Sequence, residues 1–153
     1  MVDEPKTFAE AYNNPNLNDK IKWREAISKQ FDDMSAKGVW KIIQKSDMPN
    51  GRNCIKSKWI FKIKRNGVYR ARLVACGYSQ VPGVDFQESF APVISDVTFR
   101  ILLVMMVTWN LKAKVVDIET AFLHGDLKET IYMEIPKGME ANLDECLILN
   151  KTI

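Results

Sequence analysis

SKWIFKIKRNGVYRARLVACG, residues Ser57 to Gly77, holds the pattern that decides the fold. Trp59, Phe61 and Ile63 alternate with polar residues before its centre, and Tyr69, Ala71 and Leu73 do so after it. Strand side chains point to opposite faces in turn, so each arm reads as a half-buried strand and the pair as a hairpin. The register follows from the loop length. A two-residue Asn66-Gly67 turn pairs Phe61 with Arg72 and mixes apolar with basic side chains on one face. A three-residue loop, Arg65-Asn66-Gly67 with glycine in the left-handed position, instead pairs Ile63 with Tyr69, Phe61 with Ala71 and Trp59 with Leu73. The second register is the expected one, because it collects Lys62, Lys64, Arg70 and Arg72 on the face opposite the apolar residues.

The charge distribution points to the same segment. The net charge is +3, yet residues 1–50 hold eight basic and eight acidic side chains, residues 51–80 eight basic and no acidic, and residues 81–153 six basic and eleven acidic. A basic block with Trp59, Phe61 and Tyr69 interleaved has the composition of a phosphate-binding surface. A solvated basic face is the competing reading, and charge alone does not separate the two.

Outward from the hairpin, Thr7 and Glu10 have capping-box spacing for a short helix ending before Pro15. Trp23, Ala26, Ile27, Phe31 and Met34 recur at three and four, which predicts an amphipathic helix from about Asp19 to Ala36, stopped by Gly38, with its stripe used for packing. Val39 to Ile43 reads as a short strand. Gly77 to Pro92 is expected to be a loop packed by Phe86 and Phe90. Ser95 or Asp96 caps a helix from about Val97 to Trp109, ended by Asn110; its sides are nearly all apolar, so it is expected to be buried. Lys112 to Ile118 reads as a strand, with a turn through Thr120 to Leu123 before Gly125. A further strand is expected from Ile131 to Ile135, stopping at Pro136, and another from Cys146. The longest apolar run, Ile101 to Val107, is too short to cross a bilayer, and the acidic start lacks the pattern of a signal peptide. Cys54, Cys76 and Cys146 form no C-x-x-C pair and the chain has one histidine, so they read as reduced thiols of a cytoplasmic or nuclear protein.

No glycine-rich phosphate loop or nucleophile elbow is present. Asp117 in the apolar run VVDI stands out, because a carboxylate flanked by valine and isoleucine is costly to bury without a basic side chain or a metal ion. As a residue by itself it is read first as a strand-end cap or an ion pair. His124, beside a turn, is read as structural before it is read as a ligand.

Five blocks occur in order: WREAISKQF (23–31), GVWKII (38–43), IKSKWIFKIKRNG (55–67), YRARLVACGYSQVPGVDFQESFAPV (69–93) and VVDIETAFLHGDLKETIYMEIPKGM (115–139). Together they resemble the reverse transcriptase of copia-type LTR retrotransposon polyproteins, over nearly the whole chain from Pro5. The resemblance implies an α+β chain, part of a right-hand polymerase fold: a fingers β-hairpin and helices, about 19–110, packed on the first strands of a palm sheet, about 111–153. It implies that Asp117 is the first catalytic aspartate and a ligand of magnesium, two ions being expected in the complete domain, and that the carbonyl of Ile118 is a further metal ligand. Two such ions, about 3.5 to 4 Å apart, flank an in-line phosphoryl transfer. Phe122 matches the bulky residue that packs against the sugar of the incoming nucleotide and excludes a 2′-hydroxyl; a core aromatic is its other reading. Lys62, Lys64, Arg70 and Arg72 fall where the family's hairpin presents cations to the nucleotide triphosphate.

The implied partners are a template-primer of RNA or DNA, a deoxynucleoside triphosphate and the rest of the Pol polyprotein, with no membrane. Cys76 stands where relatives commonly carry lysine, and Glu119 where they carry a neutral or basic residue; both changes weaken a polyanion site. The family continues past the final LILNKTI to a Tyr-x-Asp-Asp hairpin, so the 153 residues are expected to be an RNA-directed DNA polymerase fragment that is inactive alone. A non-catalytic nucleic-acid-binding module, or a structural remnant of a decayed element, is the alternative.

Overall fold

The structure, a computed structural model, describes residues 4–77, 93–116, 123 and 125–153. Helix α1 spans Phe8–Tyr12 and α2 Leu17–Ala36; strands follow at β1 Trp40–Gln44, β2 Cys54–Ile55, β3 Ser57–Ile63 and β4 Tyr69–Ala75; then come α3 Asp96–Thr108, β5 Asp126–Met133 and β6 Glu145–Lys151. The chain is thus mixed α and β, as expected. No described helix is long and apolar enough to cross a membrane.

Both N-terminal helices start where side-chain acceptors satisfy orphan N–H groups. Thr7 accepts from the Glu10 N–H at 3.3 Å, while Glu10 reaches back to the Lys6 N–H at 2.8 Å. Asn16 caps α2 through the Asn18 and Asp19 N–H groups, so the helix starts at Leu17, two residues before the boundary expected from periodicity. The predicted stripe of α2 packs as read, with Trp23, Ile27 and Met34 buried and Ala26 and Phe31 at the cluster's edge. It faces the apolar side of the β3–β4 hairpin. Trp23 is fully buried and meets Phe61 and Tyr69 edge-on, at centroid distances of 5.3 and 4.6 Å. Each such pair contributes about 0.5–1.5 kcal/mol beyond area burial. Its indole N–H has no partner among the described residues, which costs about 1–3 kcal/mol.

A four-stranded sheet in the order β1-β6-β5-β2 forms a second core. β1 and β5 run antiparallel to β6, while β2 lies parallel to β5. Ile55, Ile131, Met133, Leu147 and Leu149 bury one cluster, and Trp40 and Ile153 touch both this cluster and the helix–hairpin core. The sheet draws strands from both sides of residue 110. The turn at Lys137 and Gly138 joins the two cores: the Lys137 carbonyl accepts from the Trp59 indole N–H at 3.0 Å, and a Cβ on Gly138 would lie 2.6 Å from the Phe8 ring.

Two expectations are corrected. Helix α3 forms within one residue of its predicted limits and ends in a Schellman arrangement, with Asn110 at φ 52°, its N–H on the Val107 carbonyl and the Leu111 N–H on that of Met106. Yet no residue of α3 is buried, and Val104 and Val107 are 64% and 77% exposed. Caps and propensity set a helix's ends locally, whereas burial requires a second surface, and no described element packs along this one. The expected strand at Lys112 to Ile118 is also absent over residues 112–116, where Val115 is 97% exposed. A β-prone run becomes a strand only beside a partner strand that takes its hydrogen bonds. Its last two residues lie outside the described residues, as does the loop expected from Gly77 to Pro92 beyond Gly77, with Phe86 and Phe90.

Candidate nucleic-acid interface

The hairpin adopts the three-residue loop. Ile63 pairs with Tyr69, Phe61 with Ala71 and Trp59 with Leu73, and the Lys64 N–H donates to the Val68 carbonyl at 2.9 Å. Gly67 sits at φ +78°, the left-handed position the loop requires, and its N–H bonds the Lys64 carbonyl at 2.8 Å. At the tip, the Tyr69 hydroxyl donates to Asp19 at 2.5 Å, tying the hairpin to the first turn of α2. That hydrogen bond to a carboxylate raises the Tyr69 pKa.

Strict alternation then separates the two kinds of side chain. Trp59, Phe61, Ala71 and Leu73 are buried in the core shared with α2, while Lys62, Lys64, Arg70 and Arg72, together with Ile60, line one shallow hollow of about 170 Å³. The structure therefore brings together all four cations singled out in the sequence. It also shows that the interleaved aromatics are not part of that face. Trp59 and Phe61 point to the core, so the surface offers charge and one exposed isoleucine rather than a platform for stacking bases.

Register has an electrostatic cost here. Lys62 lies directly opposite Arg70, a like-charge cross-strand pair that disfavours the hairpin. Glu4 offsets it: one carboxylate oxygen accepts from Lys62 Nζ at 2.6 Å and the other from the Ile63 N–H at 3.0 Å. These two bonds, the lysine's first, hold the Glu4 carboxyl below the usual carboxylate range. Lys64, Arg70 and Arg72 have no ion-pair partner among the described residues. Lys58, exposed on the same face opposite Val74, belongs with them. The alternation that located Lys62 and Lys64 would have located it too, whereas no sequence spacing connects Glu4 to the hairpin. An arginine guanidinium donates to two phosphate or carboxylate oxygens at once, so four unengaged cations on one face, Lys58, Lys64, Arg70 and Arg72, suit a polyanion.

The other site residues read from the sequence, Asp117, Ile118 and Phe122, lie outside the described residues, as do Glu119 and His124. Among the described residues no three Asp, Glu, His or Cys side chains converge as a metal site. Cys54 lies beside Cys146, its sulfur 3.9 Å from that of Met48. Burial, followed by the neighbouring thiol, pushes the Cys54 pKa up to about 11, so it is a thiol rather than a thiolate at neutral pH.

Comparison with known proteins places this surface in a family. Residues 37–153 match the family model described as reverse transcriptase (RNA-dependent DNA polymerase). The chain is 35% identical to the retrovirus-related Pol polyprotein from transposon TNT 1-94 of Nicotiana tabacum, over 98% of this chain and 11% of that protein. It is 34% identical to the corresponding polyprotein from transposon RE1 of Arabidopsis thaliana, over 88% of this chain and 9% of the relative. A Ty1 Gag-Pol polyprotein of Saccharomyces cerevisiae is 26% identical over 92% of the chain and 8% of its own length. The chain thus spans about a tenth of the length of these relatives. No solved structure matches it. With a family model covering most of its length and copia-type Pol polyproteins aligned along nearly all of it, the chain belongs to the reverse transcriptase (RNA-dependent DNA polymerase) family.

Proposed function

We propose that this chain is the front of an RNA-directed DNA polymerase of the right-hand type, and that its hairpin holds phosphates of a template-primer or an incoming deoxynucleoside triphosphate. The observation that carries the reading is the single cationic face of Lys62, Lys64, Arg70 and Arg72, in a chain of reverse transcriptase ancestry. The hairpin is rigid underneath, through Trp23, Phe61 and Leu73, and its charges stand on the strands rather than on a loose loop. Such a surface orients a phosphate chain by charge and guanidinium geometry and leaves sequence unread. In this reading residues of about 19–110 serve as fingers and those from about 111 begin the palm.

Asp117 is proposed as the first catalytic carboxylate, the Ile118 carbonyl as its neighbouring ligand and Phe122 as the group that excludes a 2′-hydroxyl. Magnesium, which when bound would stabilise the charge developing on the transferred phosphoryl group, is implied by the family. Among the described residues no cluster of Asp, Glu, His or Cys side chains would hold it, and the proposed ligands Asp117 and Ile118 lie outside them.

The test is binding to a DNA duplex across a salt series. Three or four neutralised phosphates give a slope of log K against log salt of about −2.7 to −3.6. Glutamine at Lys64, Arg70 and Arg72 together should remove most of that slope, and an unchanged slope would put the contacts elsewhere. For the polymerase reading, primer extension by a chimera that supplies the family's remaining polymerase region should be abolished by Asp117→Asn. Extension that survives that change would refute the catalytic assignment, while duplex binding without any Asp117-dependent extension would leave only a binding module.

A further inference from the structure

Glu4 lies 58 residues before Lys62, yet its carboxylate spans two adjacent donors of the hairpin. One is the Lys62 ammonium. The other is the Ile63 N–H, which points away from β4: the Lys64 N–H bonds across to Val68, so the N–H of its neighbour faces outward along the open edge of β3. An outward backbone N–H beside an ammonium is a two-donor anion site, the same pairing of fixed dipole and charge that receives phosphate oxygens elsewhere. The contact is at the surface, with the side chains of Lys62 and Glu4 66% and 33% exposed, so it opens without disturbing the core. It also sits at the rim of the hollow lined by Lys64, Arg70 and Arg72.

We propose that Glu4 is an internal competitor for this anion site: the N-terminal segment occupies Lys62 and the Ile63 N–H in place of a phosphoanion, and polyanion binding releases it. The inference rests on the nucleic-acid reading above. Its consequence is that the surface has four standing cations, Lys58, Lys64, Arg70 and Arg72, and a fifth, Lys62, held in reserve, and that any change removing the Glu4 charge strengthens binding. The carboxylate is a good stand-in because it is kept ionised by the two bonds it accepts.

Glu4→Gln removes the charge and keeps an oxygen able to accept from the Ile63 N–H. Duplex affinity at low salt should rise about two- to fivefold, the size of an exposed ion pair, with the salt slope steeper by about 0.9 for one further phosphate. In a Lys62→Gln background the same change should have little effect, because the contested ammonium is gone and only the Ile63 N–H, which glutamine still occupies, remains. Tripolyphosphate, titrated in parallel, separates a site for a nucleotide's phosphates from one for a nucleic-acid backbone: the variant's gain should appear with whichever phosphoanion uses Lys62. A second readout uses the unaltered chain. On saturation with duplex, the Glu4 side-chain carboxyl carbon signal in NMR should move to the position of a solvated glutamate. Wild-type affinity in Glu4→Gln, an equal gain in the Lys62→Gln background, or an unmoved Glu4 signal would overturn the competition while leaving duplex binding intact. Absence of duplex binding by both proteins would overturn the surface reading together with it.

Discussion

Replacing Gly138 by alanine tests how the two cores are joined. Gly138 has φ +94°, which an L side chain adopts with strain, and its added Cβ would stand 2.6 and 2.7 Å from Cζ and Cε2 of Phe8. The ring cannot simply swing aside, because it is stacked on Tyr12 at 5.3 Å and meets Trp59 at 5.9 Å. Two costs therefore add: about 1–2 kcal/mol for the backbone and about 1–3 kcal/mol for overpacking. Gly67 supplies the control, with φ +78° and nothing within 4 Å of an added Cβ, so Gly67→Ala carries the backbone cost alone. Urea unfolding with m near 2 kcal/mol/M should place the Gly138→Ala midpoint below that of Gly67→Ala by roughly 0.5–1.5 M. Adding Phe8→Leu should recover part of the Gly138→Ala loss, since a shorter side chain clears the contact. Equal midpoints for the two glycine variants, or no recovery with Phe8→Leu, would show that the Gly138 turn does not abut α1.

Among the single hairpin variants, Lys62→Gln should lower duplex affinity less than Arg72→Gln, because Lys62 is already paired with Glu4; equal losses in a binding titration would mean the pair does not persist in solution. Cys54 should resist alkylation at pH 8, where a pKa of about 11 leaves on the order of one thiol in a thousand ionised, and rapid labelling by iodoacetamide would contradict its burial. The same raised pKa makes the Cys54 contribution to stability complete below about pH 9, the ordinary thiol value, and lost as pH rises toward 11; denaturation midpoints of wild type and Cys54→Ala should converge over that window. In a chimera able to polymerise, Phe122→Ala should raise ribonucleotide incorporation, and unchanged discrimination would make Phe122 a packing residue only.

Several of these features are legible without coordinates. The hairpin register follows from one requirement, that Trp59, Phe61, Ala71 and Leu73 share a face, because a slip by one residue would turn one arm's apolar set to the opposite face and mix it with the cations. Helix α2 follows from its stripe, and Asn110 marks the end of α3 because asparagine tolerates the left-handed conformation found there. The five ordered blocks carried the family. Asp117, Ile118 and Phe122 remain assignments by resemblance, since they fall outside the described residues.

What the sequence determined by itself is whatever depends on near neighbours: the periods of strands and helices, their caps and turns, and the placing of Lys62, Lys64, Arg70 and Arg72 on one side of two strands. What only the tertiary structure decided is which surfaces meet. The Glu4–Lys62 contact, the parallel pairing of β2 with β5, the Gly138 turn against Phe8 and the exposure of α3 all depend on residues far apart in the chain. Periodicity constrains only the direction a side chain points relative to its neighbours. The partner it meets is selected by the packing of the whole chain, and that selection leaves no trace in local spacing.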